Sequence, residues 1–359
     1  MKAGILLGVK QKTKPAVGVW LAGFYLLAVL LLVIFLPVLP LPFSPAGLDL
    51  QNPLLPPAFL DSSGQTSHFL GTDHLGRDVL ANLLYGFRTG LLIALPVMLV
   101  ALIIGISLGS LAGFFGNRQF RVSRAGLIFL GILLAGILYY FLYLGPFFMA
   151  LKALKAILLS AGYFLGLGLV LWLLKKLLKT VGFLQKKLPL PVDELVLKTM
   201  EVFSSVPRLV LILAFSALAA PGVGNVILLL SLTYWAGPAR LIRAEVLKIK
   251  QLPYIEAAKV SGLSDLQILF RHILPNAAAP VWVAFSFGLS GLLGLEAALS
   301  FLGIGLPPEM PSWGRMLAGA RLNPEAWWLI FFPALALCLT ILAIQAIGNY
   351  FQRTGLKNG

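Results

Sequence analysis

Few side chains in this sequence could do chemistry, and their spacing limits what it would be. Asp73 and Asp78 stand five residues apart in the run FLGTDHLGRD, residues 69–78. A carboxylate pair can serve as general acid and base. Nothing beside this pair supplies a nucleophile or a metal-ligand set, so the catalytic reading is set aside. His68, His74 and His272 are scattered without metal-ligand spacing, and ordinary polar roles are expected for each. Cys338 is the single cysteine and lies in an apolar run, which excludes disulfides within the chain. Glu296 is a carboxylate inside the apolar run 279–303. Such a residue usually faces a bundle interior or a cavity, so a hydrogen bond between helices and a place on a path through the bundle both stay open. No catalytic residue and no metal ligand is assigned.

The stretch that carries the most local design is 254–275, YIEAAKVSGLSDLQILFRHILP. It is polar, and long apolar runs flank it. After Pro253, residues 254–261 read as a short helix. Gly262 can take the left-handed conformation that ends it. Ser264 then caps a second helix, with Gln267 three residues on as its box partner. Leu266, Leu269, Phe270 and Ile273 recur at helical spacing, and Pro275 is expected to stop that helix. The expected shape is helix, glycine corner, helix: a stiff polar elbow outside the bilayer, suited to being pushed by another protein.

The elements that position these residues follow from composition. The chain has 359 residues, 59% of them hydrophobic and 11% charged, with a mean hydropathy of +0.94. A soluble domain carries about 25% charged residues. An all-α integral membrane protein is expected, because helices satisfy their own backbone in lipid. The net charge of +15 lies in short loops beside apolar runs, where it sets topology. No basic stripe with interleaved aromatics is present, so no nucleic-acid partner is expected.

Lys2, Lys10, Lys12 and Lys14 mark a cytoplasmic tail, residues 1–16, before a retained first helix at 17–38. Residues 39–88 read as an extracytoplasmic loop rich in Pro and Gly, ending in a surface helix over 79–88 that Thr72 or Asp73 would cap. The segment 89–116 reads as the second span, in which Gly105, Gly109 and Gly113 form a small-residue packing face. Residues 117–190 hold two apolar runs, 126–144 and 156–174, each about 28 Å of helix. Arg118, Arg121, Arg124, Lys152, Lys155, Lys175, Lys176, Lys179, Lys186 and Lys187 flank them. An inserted transmembrane hairpin is expected there, with Tyr139, Tyr140 and Tyr143 near its outer end. The segment 191–350 carries four further spans, one ending near Ala220, one at 226–242 broken by Gly237-Pro238, then 279–303 and 327–347. Residues 351–359 form a second cytoplasmic tail. Inside segments of this arrangement hold 22 Lys and Arg against six outside. That bias puts both termini in the cytoplasm with eight spans.

Two motifs also carry a resemblance. Glu256-Ala257-Ala258, then Gly262, then Ile273-Leu274-Pro275 resembles the EAA loop of binding-protein-dependent ABC importer permeases. GTDHLGRD, which supplies Gly71, Thr72, Asp73, Gly76, Arg77 and Asp78, resembles the segment before the second span in dipeptide, oligopeptide and nickel permeases. FLGIGLPPEMPSWGRML and AWWLIFFPALALCLTILA are similar to the same family. The resemblance covers roughly 69–116 and 190–350 and leaves the hairpin outside it. It implies a type I importer core of six helices, to which the hairpin adds two. It implies that 251–275 is the coupling loop, with Tyr254, Glu256, Ala257, Ala258, Gly262, Asp265, Ile273, Leu274 and Pro275 meeting an ATPase. It implies a bacterial inner-membrane permease working with a second homologous permease subunit, two ATP-binding subunits and an extracytoplasmic substrate-binding protein. Its cargo would be short peptides, or similar solutes such as nickel complexes. The chain has no G-x-x-x-x-G-K-[ST] loop, so it is not expected to be an enzyme or to hold a cofactor, and ATP and Mg would be bound by the partners. Two other classes remain to be weighed: an ion-coupled secondary transporter, which would carry several ionisable residues inside its spans, and a non-transporting membrane scaffold.

Overall fold

Leucine, valine, alanine and phenylalanine dominate the long runs, and in the computed structural model those runs are helices. The structure describes residues 17–57, 68–117, 119–145, 147, 153–180, 182–217, 221–321 and 323–358. The basic residues of the first tail, Arg118, Lys152 and Ala220 lie outside them. The chain divides into two compact units, Phe115–Leu195 and the residues on either side of it.

In the larger unit, α1 (Val17–Phe35) leads through the proline-rich loop to α2 (Val79–Phe115). After the smaller unit come α5 (Val192–Ser205), α6 (Arg208–Ser216), α7 (Val223–Tyr234) and α8 (Ala236–Ile249). The elbow follows, then α11 (Ala278–Phe301), α12 (Trp313–Gly319) and α13 (Trp328–Asn358). The core is built from α2 (Ile93, Val97, Met98), α7 (Leu230, Tyr234) and α11 (Leu289, Leu292, Leu293), all buried. The Tyr25 hydroxyl bonds the Thr340 hydroxyl at 2.9 Å and pins α1 to α13.

The three glycines of α2 meet α8. A Cβ on Gly109 would lie 2.4 Å from the Ala239 carbonyl oxygen, on Gly105 2.8 Å from Pro238 Cβ, and on Gly113 2.9 Å from the Arg243 carbonyl oxygen. Backbone approaches backbone along this seam, which only residues without a side chain permit.

Three expectations are corrected. The separate surface helix over 79–88 does not form: it is the first part of α2, one helix of 37 residues. Gly86 is the weakest helix former between Val79 and Thr89, and both it and Pro96 are tolerated inside the helix. Its cap is neither Thr72 nor Asp73 but Asp78, whose Oδ2 accepts from the Ala81 amide at 2.7 Å. The break in the 226–242 span lies at Trp235, ahead of Gly237-Pro238, and Pro238 falls in the first turn of α8, where a missing N–H costs little. Pro275 does not stop its helix, because a π turn over Leu269–Ile273 precedes it.

Six helices among the described residues are long and apolar enough to cross a membrane. The other two expected crossings fall on segments outside these six. One is the 16-residue α3 (Arg124–Tyr139), extended by a π turn over Tyr140–Leu144. The other is the pair α5 and α6, split at Pro207.

The smaller unit contains β1 (Arg121–Ser123), α3, α4 (Ala153–Thr180) and β2 (Lys187–Pro189). The strands pair antiparallel, Arg121 opposite Pro189 and Ser123 opposite Lys187. Tyr140 donates to Ser160 Oγ at 2.7 Å and Tyr163 to the Gly136 carbonyl at 2.7 Å, which ties α3 to α4.

Candidate functional site

The elbow is built from two helix ends that terminate each other. Helix α9 (Pro253–Val260) starts on Pro253, which already has helical φ and lacks only a donor that would go unused. Gly262 ends it at φ +81°. Its amide bonds the Lys259 carbonyl and the Leu263 amide bonds the Ala258 carbonyl, the pair of bonds that closes a helix through a left-handed residue. Ser264 then accepts from the Gln267 amide while the Gln267 side chain accepts from the Ser264 amide, and α10 (Asp265–Ile268) begins. The next five residues, Leu269–Ile273, form a wide π turn, and Leu274–Asn276 adds one more helical turn. The π turn is what lets the chain continue through Pro275, because it moves aside the preceding carbonyls that the ring would strike. Asn276 Nδ2 bonds the His272 carbonyl at 2.6 Å and the Tyr254 hydroxyl at 3.2 Å, joining the second arm to the first.

The apolar positions of the elbow divide between two faces. Ile255, Ala258, Ile268, Leu269 and Ile273 are buried, whereas Val260, Leu266 and Phe270 are 89%, 56% and 65% exposed. Tyr254, Glu256, Ala257, Gly262, Asp265 and Pro275 are exposed too, and Leu274 is half-buried. Leu266 and Phe270 lie one turn apart on the second arm, which Asp265 begins, and Glu256 is exposed on the first arm. At the base of the elbow, Lys250 Nζ donates to the Phe114 carbonyl oxygen near the end of α2 and lies over the Phe114 ring at 5.4 Å. Burial, and then the charge of Lys259, hold the Lys250 pKa below the usual lysine value.

At the other end of α2, the GTDHLGRD motif folds into a clasp. Gly71 and Gly76 have φ of +84° and +73°, and a Cβ on Gly76 would lie 1.9 Å from the Asp49 carbonyl oxygen. Thr72 Oγ1 accepts from the Leu55 amide and donates to the Asn52 carbonyl, and the Thr72 carbonyl receives Trp328 Nε1 at 3.0 Å. Asp73 Oδ1 accepts from the amides of Leu75 and Arg77, both at 2.8 Å. Asp78 Oδ1 lies 2.9 Å from His68 Nδ1 in a buried pair. Both carboxylates thus have local structural partners, and they are not arranged around a shared reacting position.

Glu296 lies five residues before the end of α11 and is 3% exposed. Its Oε1 accepts from Ser300 Oγ at 2.8 Å and from Ser312 Oγ at 2.9 Å. Ser312 caps α12, and a Cβ on Gly314 would lie 1.9 Å from the Ala297 carbonyl oxygen, so α12 is seated directly on α11. Sequence reasoning passed over Arg315. Its guanidinium donates to the carbonyls of Leu306, Pro307, Pro308 and Met310. The signal was present: Pro307, Pro308 and Pro311 remove amide donors from that loop, and an arginine is the side chain with enough donors to serve its carbonyls.

Residues 180–354 match the family described as the binding-protein-dependent transport system inner membrane component. The chain is 30% identical over 297 residues to the di/tripeptide transport system permease protein DppC of Pseudomonas aeruginosa, covering 82% of this chain and 74% of that one. It is 25% identical over 334 residues to the dipeptide transport system permease protein DppC of Bacillus subtilis, covering 92% and 79%. It is 28% identical over 291 residues to the glutathione transport system permease protein GsiD of Pectobacterium atrosepticum, covering 81% and 72%.

Proposed function

This chain belongs to the dipeptide/oligopeptide permease family of binding-protein-dependent transport systems, and on that premise we propose that it is the inner-membrane permease subunit of an ATP-driven importer of short peptides. It pairs with a second, homologous permease subunit. Two ATP-binding subunits drive the pair from the cytoplasm, and an extracytoplasmic binding protein delivers cargo. Eight spans with both termini inside is the arrangement that the Lys and Arg distribution favours. Nickel complexes are the alternative cargo.

The observation that carries the reading is the outer surface of the elbow. Val260, Leu266 and Phe270 are apolar and exposed on a segment whose fold is locked by two caps. A rigid corner with an apolar patch and exposed carboxylates fits a groove on a partner ATPase. Closure of the ATPase pair on ATP would push the elbow, and the seams of α2 and α8 would carry that push to the bundle. Glu256, Ala257 and Asp265 are the contact residues in this scheme. Ala258 and Ile273 are buried and anchor the elbow to the body.

An ion-coupled mechanism is disfavoured because, among the described residues, Glu296 is the only acidic one well inside an apolar helix, and its Oε1 is already bonded to two serines. A scaffold role leaves the exposed elbow patch without a purpose. The test is reconstitution of the chain with its ATPases and binding protein in proteoliposomes. ATP-dependent uptake of a labelled dipeptide, lost when Phe270 and Leu266 are replaced by aspartate, supports the reading. Uptake driven by an ion gradient without ATP would refute it.

A further inference from the structure

Between the clasp and the outer loop that joins α11 to α12 lies a cavity of about 320 Å3. Its polar wall includes Arg77, Arg315, His74, Asn82 and one carboxylate, Asp73, and its apolar wall includes Leu75, Met310 and Met316. The donors and acceptors around it are unequally used. Asp73 Oδ1 is taken by two backbone amides, and Asn82 Nδ2 donates to the carbonyls of Pro45 and Asp78. Arg315 is committed to four loop carbonyls. Arg77 differs, because its Nε is buried and has no hydrogen-bond partner. Burial first, and then the charge of Arg77, press the Arg315 pKa below its ordinary value, against the opposing pull of Glu296 and Glu309.

Two guanidiniums face the cavity against the one carboxylate of Asp73, and one of the two has a buried donor without an acceptor, so the wall has room for one more anion. The planar fork of arginine matches a carboxylate, to which it can donate two parallel bonds. The volume lies near the lower end of small-molecule sites, about 300–1,000 Å3. That size suits a ligand of one or two residues rather than a segment of a folded partner. The leucine and methionine wall offers room for an apolar side chain beside the charge.

We propose that this cavity binds the C-terminal carboxylate of a short peptide, with Arg77 as its guanidinium partner. The proposal rests on the peptide-importer reading and names a subsite for its cargo.

The experiment uses the complete permease–ATPase complex in lipid nanodiscs, without binding protein, and titrates alanyl-alanine and its C-terminal amide by calorimetry. The free acid should bind about tenfold or more tighter than the amide, as expected for a charge-assisted bond. Arg77→Gln should abolish that preference. Met310→Trp leaves Arg77 in place and fills the cavity, and it should weaken the free acid by a similar factor. Equal binding of acid and amide to the wild-type complex would overturn the proposal, as would a preference that survives both substitutions. If Arg77→Gln leaves peptide binding intact and weakens only docking of the binding protein, the carboxylate belongs to that partner and the peptide subsite is wrong. Uptake in proteoliposomes separates the two readings. Dipeptide uptake with no acid preference overturns the subsite alone. An Arg77-dependent preference with no uptake supports the carboxylate site and overturns the importer.

Discussion

Ser312 and Glu296 are 16 residues apart in sequence, and the Ser312 hydroxyl donates to Glu296 Oε1 at 2.9 Å. Through this bond the buried carboxylate of α11 holds the cap of α12, and with it the start of the outer loop's helix. Glu296→Gln keeps an oxygen acceptor in the same place, so it is expected to lower stability by no more than about 1 kcal/mol and to retain uptake. Glu296→Leu strands the hydroxyls of Ser300 and Ser312, each 1% exposed, and should cost about 1–3 kcal/mol. Thermal denaturation of the purified complex reads both. Loss of uptake in Glu296→Gln at unchanged melting temperature would assign the charge to the cargo path instead.

The reading of Glu296 shows where sequence reasoning succeeds and where it stops. An acidic residue in an apolar run is legible because burying it without partners is so costly, but its partner Ser312 lies beyond a loop whose path no periodicity encodes. The elbow was legible almost residue by residue, since Gly262, Ser264 and Gln267 act on their immediate neighbours. The π turn was not, because Leu269–Ile273 keeps helical spacing within a residue and the extra width appears only in the hydrogen bonds. The surface helix failed for a related reason: 79–88 is amphipathic, and the same residues pack the buried N-terminal half of α2. Val79, Ala81 and Gly86 are enclosed there, with Gly86 against Trp313.

Gly262 separates backbone strain from crowding. A Cβ there meets nothing within 4 Å, while φ is +81°. Any loss on substitution therefore comes from the dihedral, about 1–2 kcal/mol for most residues. Asparagine tolerates the left-handed region better than alanine or valine, so Gly262→Asn should uncouple least and Gly262→Val most. The measurement is peptide transported per ATP hydrolysed. Equal ratios across Gly262→Asn, Gly262→Ala and Gly262→Val at normal membrane levels would remove the elbow from the coupling path.

Gly109 poses the opposite case. Its missing Cβ would lie 2.4 Å from the Ala239 carbonyl oxygen, a backbone atom that cannot rotate away. Gly109→Val should destabilise by about 1–3 kcal/mol or more and lower the folded fraction recovered from membranes. Gly168→Ala is the control. That glycine is in open space on α4, and alanine there should gain up to about 1 kcal/mol of helix propensity.

Lys250 links the base of the elbow to α2 through the Phe114 carbonyl. Lys250→Met keeps the stem and removes the donor, and it should cost about 1–2 kcal/mol. Were the bond only structural, Lys250→Met would lower the melting temperature alone. If it also carries motion, basal ATP hydrolysis persists while stimulation by loaded binding protein falls. Lys250→Arg, which restores a donor, should recover part of that stimulation.

The smaller unit invites a deletion, because its ends are already paired. Arg121 lies opposite Pro189 in the ribbon, the Leu190 amide bonds the Phe120 carbonyl at 2.8 Å, and the Glu194 amide bonds Asn117 Oδ1 at 3.0 Å. Paired strands run about 5 Å apart, and residue 117 lies three residues before Phe120, the partner of Leu190, so a linker of about three residues joins residue 117 to residue 190. If both helices of this unit cross the bilayer, the deletion keeps the parity of the remaining spans and leaves the elbow on the same side. Leu154, Ile157, Leu165 and Trp172 on α4 are more than half exposed, as expected for a helix facing lipid. We expect the shortened chain to insert, bind its ATPases and transport peptide at a reduced level, with a lower melting temperature. Cysteine labelling at position 152 from the outside should succeed in the full-length protein if both inserted helices cross. A shortened chain that assembles fully and transports nothing would place the insert within the transport mechanism rather than beside it.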